Sequence, residues 1–146
     1  MTRRILHPSD FSPASDAAFK TAIEMAKAGR GELLVVHVVN PIVPIAGECY
    51  VSPKMYDDIA ASTRAWAKKR LDQRLAKAKK LGVRVKGLLA EGPAHEQIVR
   101  IARAKRADLV VMGTHGRSGL AKLFLGSVAG RVVAAARCPI LTVRGK

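Results

Sequence analysis

Residues 113–127 read GTHGRSGLAKLFLGS and directly follow the apolar run DLVVM at residues 108–112. Gly113 and Gly116 bracket a predicted turn, and Gly126 precedes Ser127 at a predicted helix start. Glycine permits positive φ and lets a ligand approach the main chain without a Cβ in the way. The N–H groups and dipole of a helix N-terminus favour an anion. The stretch therefore predicts a strand, a turn and a helix start suited to phosphate, with a plain turn and helix cap as the alternative.

Apolar runs elsewhere in the chain predict the other strands. Runs without alternation are typical of strands covered on both faces, as in a parallel sheet. These runs are Arg4–His7, Leu33–Val39, Asp108–Met112 and Pro139–Val143. The segment Val83–Ala90 alternates at first, which is typical of an edge strand.

Helical patterns with readable ends separate the strands. Serine followed by proline fits an N-cap and the first helical position, and glycine fits a helix stop. The predicted helices begin at Pro13, Pro53, Pro93 and Ser127, and the first two stop at Gly29 and Gly82. Inward faces are predicted for Leu71, Leu75, Ala78 and Leu81 in the second helix, and for Val128, Val132, Val133 and Ala136 in the fourth.

The strict alternation β-α-β-α-β-α-β-α-β predicts the fold class. It favours a single doubly wound α/β domain over residues 1–146, with a five-stranded parallel sheet flanked by four helices, that is, a Rossmann-like fold. Ligands of such sheets bind beyond the carboxyl ends of the strands, where the strand order reverses. The loop after the first strand and the 113–127 stretch are both expected there.

Length and composition fit this single domain. The 146 residues are 49% hydrophobic, enough for one core. No apolar run is long enough to cross a bilayer, and the N-terminus MTRRILHPSD lacks a secretory signal, so we expect a cytoplasmic protein that contacts no membrane. Cys49 and Cys138 follow no metal spacing and are expected to be reduced thiols.

The chain is strongly basic. Lys and Arg number 26 against 11 acidic residues, a net charge of +15, which permits binding to phosphate-rich partners. Many basic residues lie between Arg64 and Lys86, where a solvated helix face is the simpler interpretation. With few aromatics, the sequence offers no stacking platform for single strands, and the absence of a nucleic-acid-binding motif makes nucleic acid the weaker candidate partner. Charge-driven binding of nucleic acid or an acidic surface is kept as the alternative function.

Several familiar chemistries are absent from the sequence. A P-loop would need glycine where Ser118 stands, and G-x-G-x-x-G does not occur. The four histidines show no metal spacing, and no nucleophile stands beside a general base. We therefore predict no catalytic residue and no protein metal site. An adenylating enzyme is a further alternative, but its strand-one loop is usually rich in glycine, and here that loop is HPSDFS.

Taken together, these motifs resemble the ATP-binding branch of the universal stress proteins. Gly113, Gly116, Gly126 and Ser127 match that family's G-x2-G-x9-G-[ST] spacing, and the likeness extends over ILHPSDFSPASDAAF, LLVVHVV, EGPAHEQIV and the C-terminal third. The resemblance implies an adenine nucleotide alpha hydrolase-like fold that binds ATP, AMP or cyclic AMP. It also implies Mg²⁺ held mainly by phosphates, and a stress-response regulator with little or no hydrolysis.

The resemblance also implies a site and a mode of assembly. The implied nucleotide-binding residues are Pro8, Ser9, Asp10, Val38, Met112, Gly113, His115, Gly116, Arg117, Gly126, Ser127 and Val128. Ala129 stands where ATP-binding members often have a hydroxyl, which leaves the choice among adenine nucleotides open. Family members commonly pair through the last strand, here Pro139 to Val143. We therefore expect a homodimer, with a further protein partner that the sequence does not identify.

Overall fold

The computed structural model describes residues 3–41, 52–115 and 125–145, and in these ranges it has the predicted order of elements. The strands are β1 (Arg4–Pro8), β2 (Glu32–Val39), β3 (Arg84–Glu91), β4 (Leu109–Gly113) and β5 (Ile140–Val143). The helices are α1 (Pro13–Ala28), α2 (Pro53–Lys80), α3 (Ala94–Ala104) and α4 (Ser127–Ala135). Most of the predicted loop from residue 40 to residue 52, with Cys49, lies outside the described residues.

The strands form one sheet in the order β3-β2-β1-β4-β5, with every neighbouring pair parallel. The predicted doubly wound fold and the predicted edge position of β3 are therefore confirmed, and β5 forms the other edge. Ile5 of β1 pairs with Leu33 on one side and with Leu109 on the other. The strand order reverses between β1 and β4, so the carboxyl ends of these two strands define the crevice at which such folds bind ligands.

Two hydrophobic cores lie on opposite faces of the sheet. One packs Ile5, Leu33 and Val35 beneath α1 and α2, and the other packs Leu6 and Leu34 beneath α3 and α4. Successive side chains of a strand point to opposite faces, so an apolar run such as LLVV supplies both cores at once. Double coverage thus explains why these strand sequences do not alternate.

Three helices end on the same hydrogen-bonded turn, which places one residue in the left-handed region. That residue is Gly82 after α2 (φ 81°), but it is Arg30 after α1 (φ 50°) and Arg106 after α3 (φ 51°). The closing bonds run from the N–H groups of Gly31, Val83 and Ala107 to the carbonyls of Ala26, Ala78 and Ala102, at 2.8, 3.1 and 2.8 Å. Glycine adopts this conformation without strain, whereas arginine pays a steric cost.

Some residues expected in the core face solvent instead. Leu81 and Val133 are each 45% exposed, and Val128 is 37% exposed. Leu81 is the C-cap of α2 and lies beyond its last packed turn, while α4 contacts the sheet mainly through the buried residues Ala129 and Val132. These inward assignments were wrong because a helical stripe predicts a face but not how wide the covered part of that face is. No described helix has the length and apolar character of a membrane span.

His7 is a fully buried histidine at the centre of the sheet. Its Nδ1 lies 2.9 Å from the carbonyl oxygen of Val111, and because a carbonyl can only accept, Nδ1 carries the proton. Nε2 is buried and has no hydrogen-bond partner in the described ranges. A charged ring would lose its hydration there, so burial lowers the pKa of His7 to about 4.

This buried imidazole predicts a pH-dependent stability. The folded state keeps His7 neutral, so its contribution is complete above the unfolded pKa of 6.5 and is lost as pH falls toward about 4. We expect the free energy of unfolding in urea to fall by about 2.5 kcal/mol from pH 7 to pH 4.5 through this group. His7→Gln should remove that part of the pH dependence, and His95→Gln, in the first turn of α3 and partly exposed, should keep it. Equal pH dependence in wild type and His7→Gln would contradict the assignment.

The left-handed arginines predict a stabilising substitution. Arg30→Gly and Arg106→Gly should each raise the free energy of unfolding by about 1 kcal/mol, because glycine relieves the Cβ strain at positive φ. Arg103→Gly, inside α3, is the control and should lower it by a similar amount, since glycine is a poor helix former. Chemical denaturation checks all three, and destabilisation by the first two would refute the strain argument.

Candidate functional site

A cleft of about 490 Å³ opens at the carboxyl ends of the strands, where the strand order reverses. Its floor includes Met112 and Gly113 of β4, and its walls include Asp10 after β1, His37 of β2 and Ser127 of α4. The size is that of a small-molecule site. The parallel topology places these segments together because all the strands end at the same edge of the sheet.

The loop after β1 forms a rigid wall of the cleft through short hydrogen bonds. Asp10 Oδ1 accepts from the Ser12 backbone N–H at 2.9 Å and from the Ser12 hydroxyl at 2.5 Å. Ser12 in turn caps α1 by accepting from the Ser15 N–H at 3.2 Å. The Ser9 N–H donates to the Val36 carbonyl at 2.8 Å, which fixes the loop to β2. Asp10 therefore serves the helix entry and lies on the cleft wall at the same time.

An aromatic cluster forms the wall on the side of β2. His37 Nδ1 lies 2.7 Å from the Ser9 carbonyl oxygen, and its ring stacks on Phe11 at 4.4 Å between centroids. Trp66 of α2 meets both rings edge-on, at 5.7 Å from Phe11 and 6.4 Å from His37. Phe11 has a φ of 62°, and its N–H donates to the Ser9 hydroxyl at 3.1 Å. Trp66 is 45% exposed and lines the cleft.

The N-terminus of α4 forms the opposite wall and carries no side-chain cap. Gly126 is the N-cap residue, and no side chain in the described ranges accepts from the first amides of the helix. The Gly126 N–H donates to the Thr114 carbonyl at 2.7 Å, which holds the helix start against the end of β4. The amides of Ser127, Val128 and Ala129 therefore begin a helix at the cleft, where the helix dipole favours an anion.

His115 adds a polar atom at the end of β4. Its Nδ1 lies 3.0 Å from the Thr114 hydroxyl oxygen. Its Nε2 is buried and has no hydrogen-bond partner among the residues the structure describes. A buried polar atom without a partner is unfavourable.

The structure brings most of the sequence-predicted site residues together. The residues that line this one cleft are Pro8, Ser9, Asp10, Val38, Met112, Gly113, His115, Gly126, Ser127 and Val128. Gly116 and Arg117 lie outside the described residues. The role of all twelve as nucleotide contacts stays a prediction.

Other lining residues were missed by the sequence analysis. Trp66 and Thr63 lie on a helix far from the predicted loops, and Ile98 lies on α3. No motif or unusual spacing in the sequences of α2 and α3 distinguishes these residues from their neighbours in the helix. His37 of β2 also lies on the cleft wall.

The fold and the cleft can now be compared with known proteins. The model of the universal stress protein family matches residues 1–144. A universal stress protein of Methanocaldococcus jannaschii is 35% identical over 144 residues, which cover 97% of this chain and 82% of that protein. The solved structure of universal stress protein UspA from Lactobacillus plantarum superposes with a TM-score of 0.82 at 25% identity, over 97% of each chain.

A further solved structure shares the fold at lower identity. It is a universal stress protein family protein from Arabidopsis thaliana with AMP bound, and it has a TM-score of 0.71 at 20% identity, covering 99% of this chain and 92% of that one. The family match over nearly the whole sequence agrees with the strand order and with the cleft at the reversal point. The chain therefore belongs to the universal stress protein family.

Proposed function

We propose that this protein binds ATP or a related adenine nucleotide in the cleft and acts as a nucleotide-dependent regulator in the cytoplasmic stress response. The observation that carries the proposal is the uncapped N-terminus of α4, which begins on the cleft wall opposite Asp10. Amides at such a position bind phosphate without a lysine side chain. The described lining of the cleft contains no lysine or arginine, so its polar donors are amides, hydroxyls and imidazoles.

The other end of the cleft suits a nucleoside. Trp66, His37 and Val38 give this wall a flat, largely apolar surface, and Asp10 is fixed beside it by Ser12. A purine would contact this wall while its phosphates extend toward Gly126 and Ser127. The AMP bound to the Arabidopsis protein of the same fold gives this ligand class a precedent in the family.

Mg²⁺ would enter with the nucleotide. Among the described residues no group of three His, Cys, Asp or Glu side chains could hold a metal ion. Mg²⁺ is commonly bound through substrate phosphates and water, with few protein ligands. We therefore place the ion on phosphate oxygens.

The proposed activity is binding with little or no hydrolysis. Hydrolysis needs a group that orients and deprotonates an attacking water. On the described wall, Asp10 holds Ser12 through Oδ1, and His37 Nδ1 is engaged with the Ser9 carbonyl. A difference between the bound and the empty cleft, transmitted to a protein partner, is then the functional output.

Saturable adenine-nucleotide binding tests the proposal. Titration of ATP should change the fluorescence of Trp66, the single tryptophan of the chain, which lines the cleft. Gly126→Val should raise the Kd at least about tenfold, a loss of about 1.4 kcal/mol, because a branched side chain obstructs phosphate approach to the helix start.

The matched control is Gly130→Ala, one turn further along α4. A Cβ built on Gly130 meets nothing within 4 Å, so this variant should bind as the wild type does. Calorimetry with ATP, AMP and cyclic AMP gives an independent reading. No heat with any of the three would refute the proposed function, as would equal affinity in wild type and Gly126→Val.

We further propose that the protein is a homodimer through the last strand, residues Pro139 to Val143. β5 is an edge of the sheet, and its Leu141 is 36% exposed. The Thr114 N–H donates to the Val143 carbonyl at 3.0 Å, so residues 139, 141 and 143 point their backbone groups toward β4. The amide and carbonyl of Thr142 then point to the open edge, where a second copy can pair antiparallel.

Sedimentation of an edge variant tests this dimer. Thr142→Pro removes an outward N–H without touching the bonds to β4, so it should convert the dimer to a monomer. Thr142→Val keeps the N–H and should remain dimeric. A dimer that persists in Thr142→Pro would exclude this interface.

A further inference from the structure

The end of the sheet opposite the cleft is where the strands begin. An arginine stands at the first residue of each strand or up to three residues before it. Each of these five side chains is exposed. In sheet order they are Arg84 at β3, Arg30 before β2, Arg3 before β1, Arg106 before β4 and Arg137 before β5. Neighbouring strands lie about 4.8 Å apart, so the row extends over about 19 Å.

Hydrogen bonds to backbone carbonyls hold these loops side by side. Arg84 Nη2 donates to the Arg30 carbonyl at 3.0 Å, and the Glu32 N–H donates to the Arg3 carbonyl at 2.9 Å. Across the next gap, Arg4 Nη1 donates to the Lys105 carbonyl at 2.5 Å. These bonds join the loops of Arg84, Arg30, Arg3 and Arg106. The Val110 N–H donates to the Pro139 carbonyl at 3.0 Å, which holds the loop of Arg137 beside β4.

Further positive charge surrounds this row, and the nearby acids are already engaged. The helix ends add the exposed side chains of Lys27, Lys79, Lys80, Arg103 and Lys105. Glu32 pairs with Lys86 at 2.8 Å and with Arg4 at 3.1 Å, and these hydrogen bonds lower its pKa. Asp108 Oδ2 accepts from the Arg4 N–H at 2.7 Å. We name these five side chains and the five of the arginine row, ten in all, the basic edge.

Helix termini alone do not account for the basic edge. A cation in the last turn of a helix is favoured by the dipole, which covers Lys27, Lys79 and Arg103. Arg30 and Arg106, however, occupy left-handed positions after α1 and α3, where the equivalent residue after α2 is Gly82. Residues held in this strained conformation cluster at functional sites. Two strained, exposed arginines in one row indicate that the row has a ligand.

We propose that the basic edge binds the phosphate backbone of duplex nucleic acid without sequence preference. A duplex carries one phosphate charge per about 1.7 Å of axis over its two strands, so each of the five arginines in the row can neutralise one phosphate. The ten side chains include no aromatic residue, so base stacking, the main contact to single strands, is missing from this surface. The inference does not depend on the nucleotide cleft, which lies at the opposite end of the strands.

An anionic membrane would be a poorer ligand for this surface. Stable membrane association combines basic residues with apolar side chains that insert between lipids. Among the described residues at this end of the sheet, Leu81 after α2 and Val133 in the last turn of α4 are large exposed apolar side chains, each at 45%. These two separated side chains supply little insertion.

The test is fluorescence anisotropy of the full-length protein with a labelled 20-base-pair duplex at 50 and 200 mM salt. Five phosphate contacts predict an affinity loss of about 500-fold over this range. Arg30→Gly/Arg106→Gly leaves three contacts, so the loss should shrink to about 40-fold, and its affinity at 50 mM salt should be at least about tenfold weaker. Arg3→Gln/Arg137→Gln, which changes no strained position, should behave similarly.

The matched control is Lys20→Gln/Lys54→Gln, which removes the same net charge from exposed positions away from this edge. It should change duplex affinity less than about twofold. Equal weakening by the control would assign binding to net charge alone and overturn the proposal. Undetectable duplex binding at 50 mM salt, or tighter binding to phosphatidylserine vesicles than to the duplex, would also overturn it. The ATP titration should be unchanged in both arginine variants, because the nucleotide cleft lies at the opposite end of the strands.

Discussion

The parallel pairing of β1 and β4 is the constraint on which the rest of the molecule depends. Both strands are covered on both faces of the sheet. The loops that follow their carboxyl ends meet at the cleft. α1 then covers one face of the sheet and α4 the other, which separates their N-termini around a crevice. No side chain has to open this cleft, because it follows from strand order.

The same constraint gives the two ends of the sheet opposite characters. Helix N-termini and the carboxyl ends of strands gather at the cleft, and this end offers N–H groups and polar loops. Helix C-termini and the strand starts gather at the other end, where carbonyl groups favour cations. An exposed arginine at or just before the start of every strand adds to the positive charge at this end. Two of these arginines, Arg30 and Arg106, have left-handed backbone conformations.

Polar groups near the central strands are arranged to be satisfied locally, with two exceptions. Asp10 accepts from the Ser12 N–H and hydroxyl, and the Ser9 hydroxyl accepts from the Phe11 N–H, which fixes the β1 loop before any ligand arrives. His7 Nε2 and His115 Nε2 are the buried side-chain atoms without a partner in the described ranges. The first lies in the core, where burial lowers the pKa of the ring, while the second belongs to a residue that lines the cleft.

The sequence alone determined the elements, their order and the fold class. These depend on local physics: apolar runs form doubly covered strands, Ser-Pro pairs start helices, and Gly82 ends α2. It also placed Asp10 and Gly126 at the same edge, since loops after parallel strands converge. Only the tertiary structure decided that Trp66 meets His37 and Phe11, that Val133 is exposed, and that Arg3, Arg30, Arg84, Arg106 and Arg137 form one row. These relations arise from strand order and helix placement, and no periodicity within a single segment encodes them.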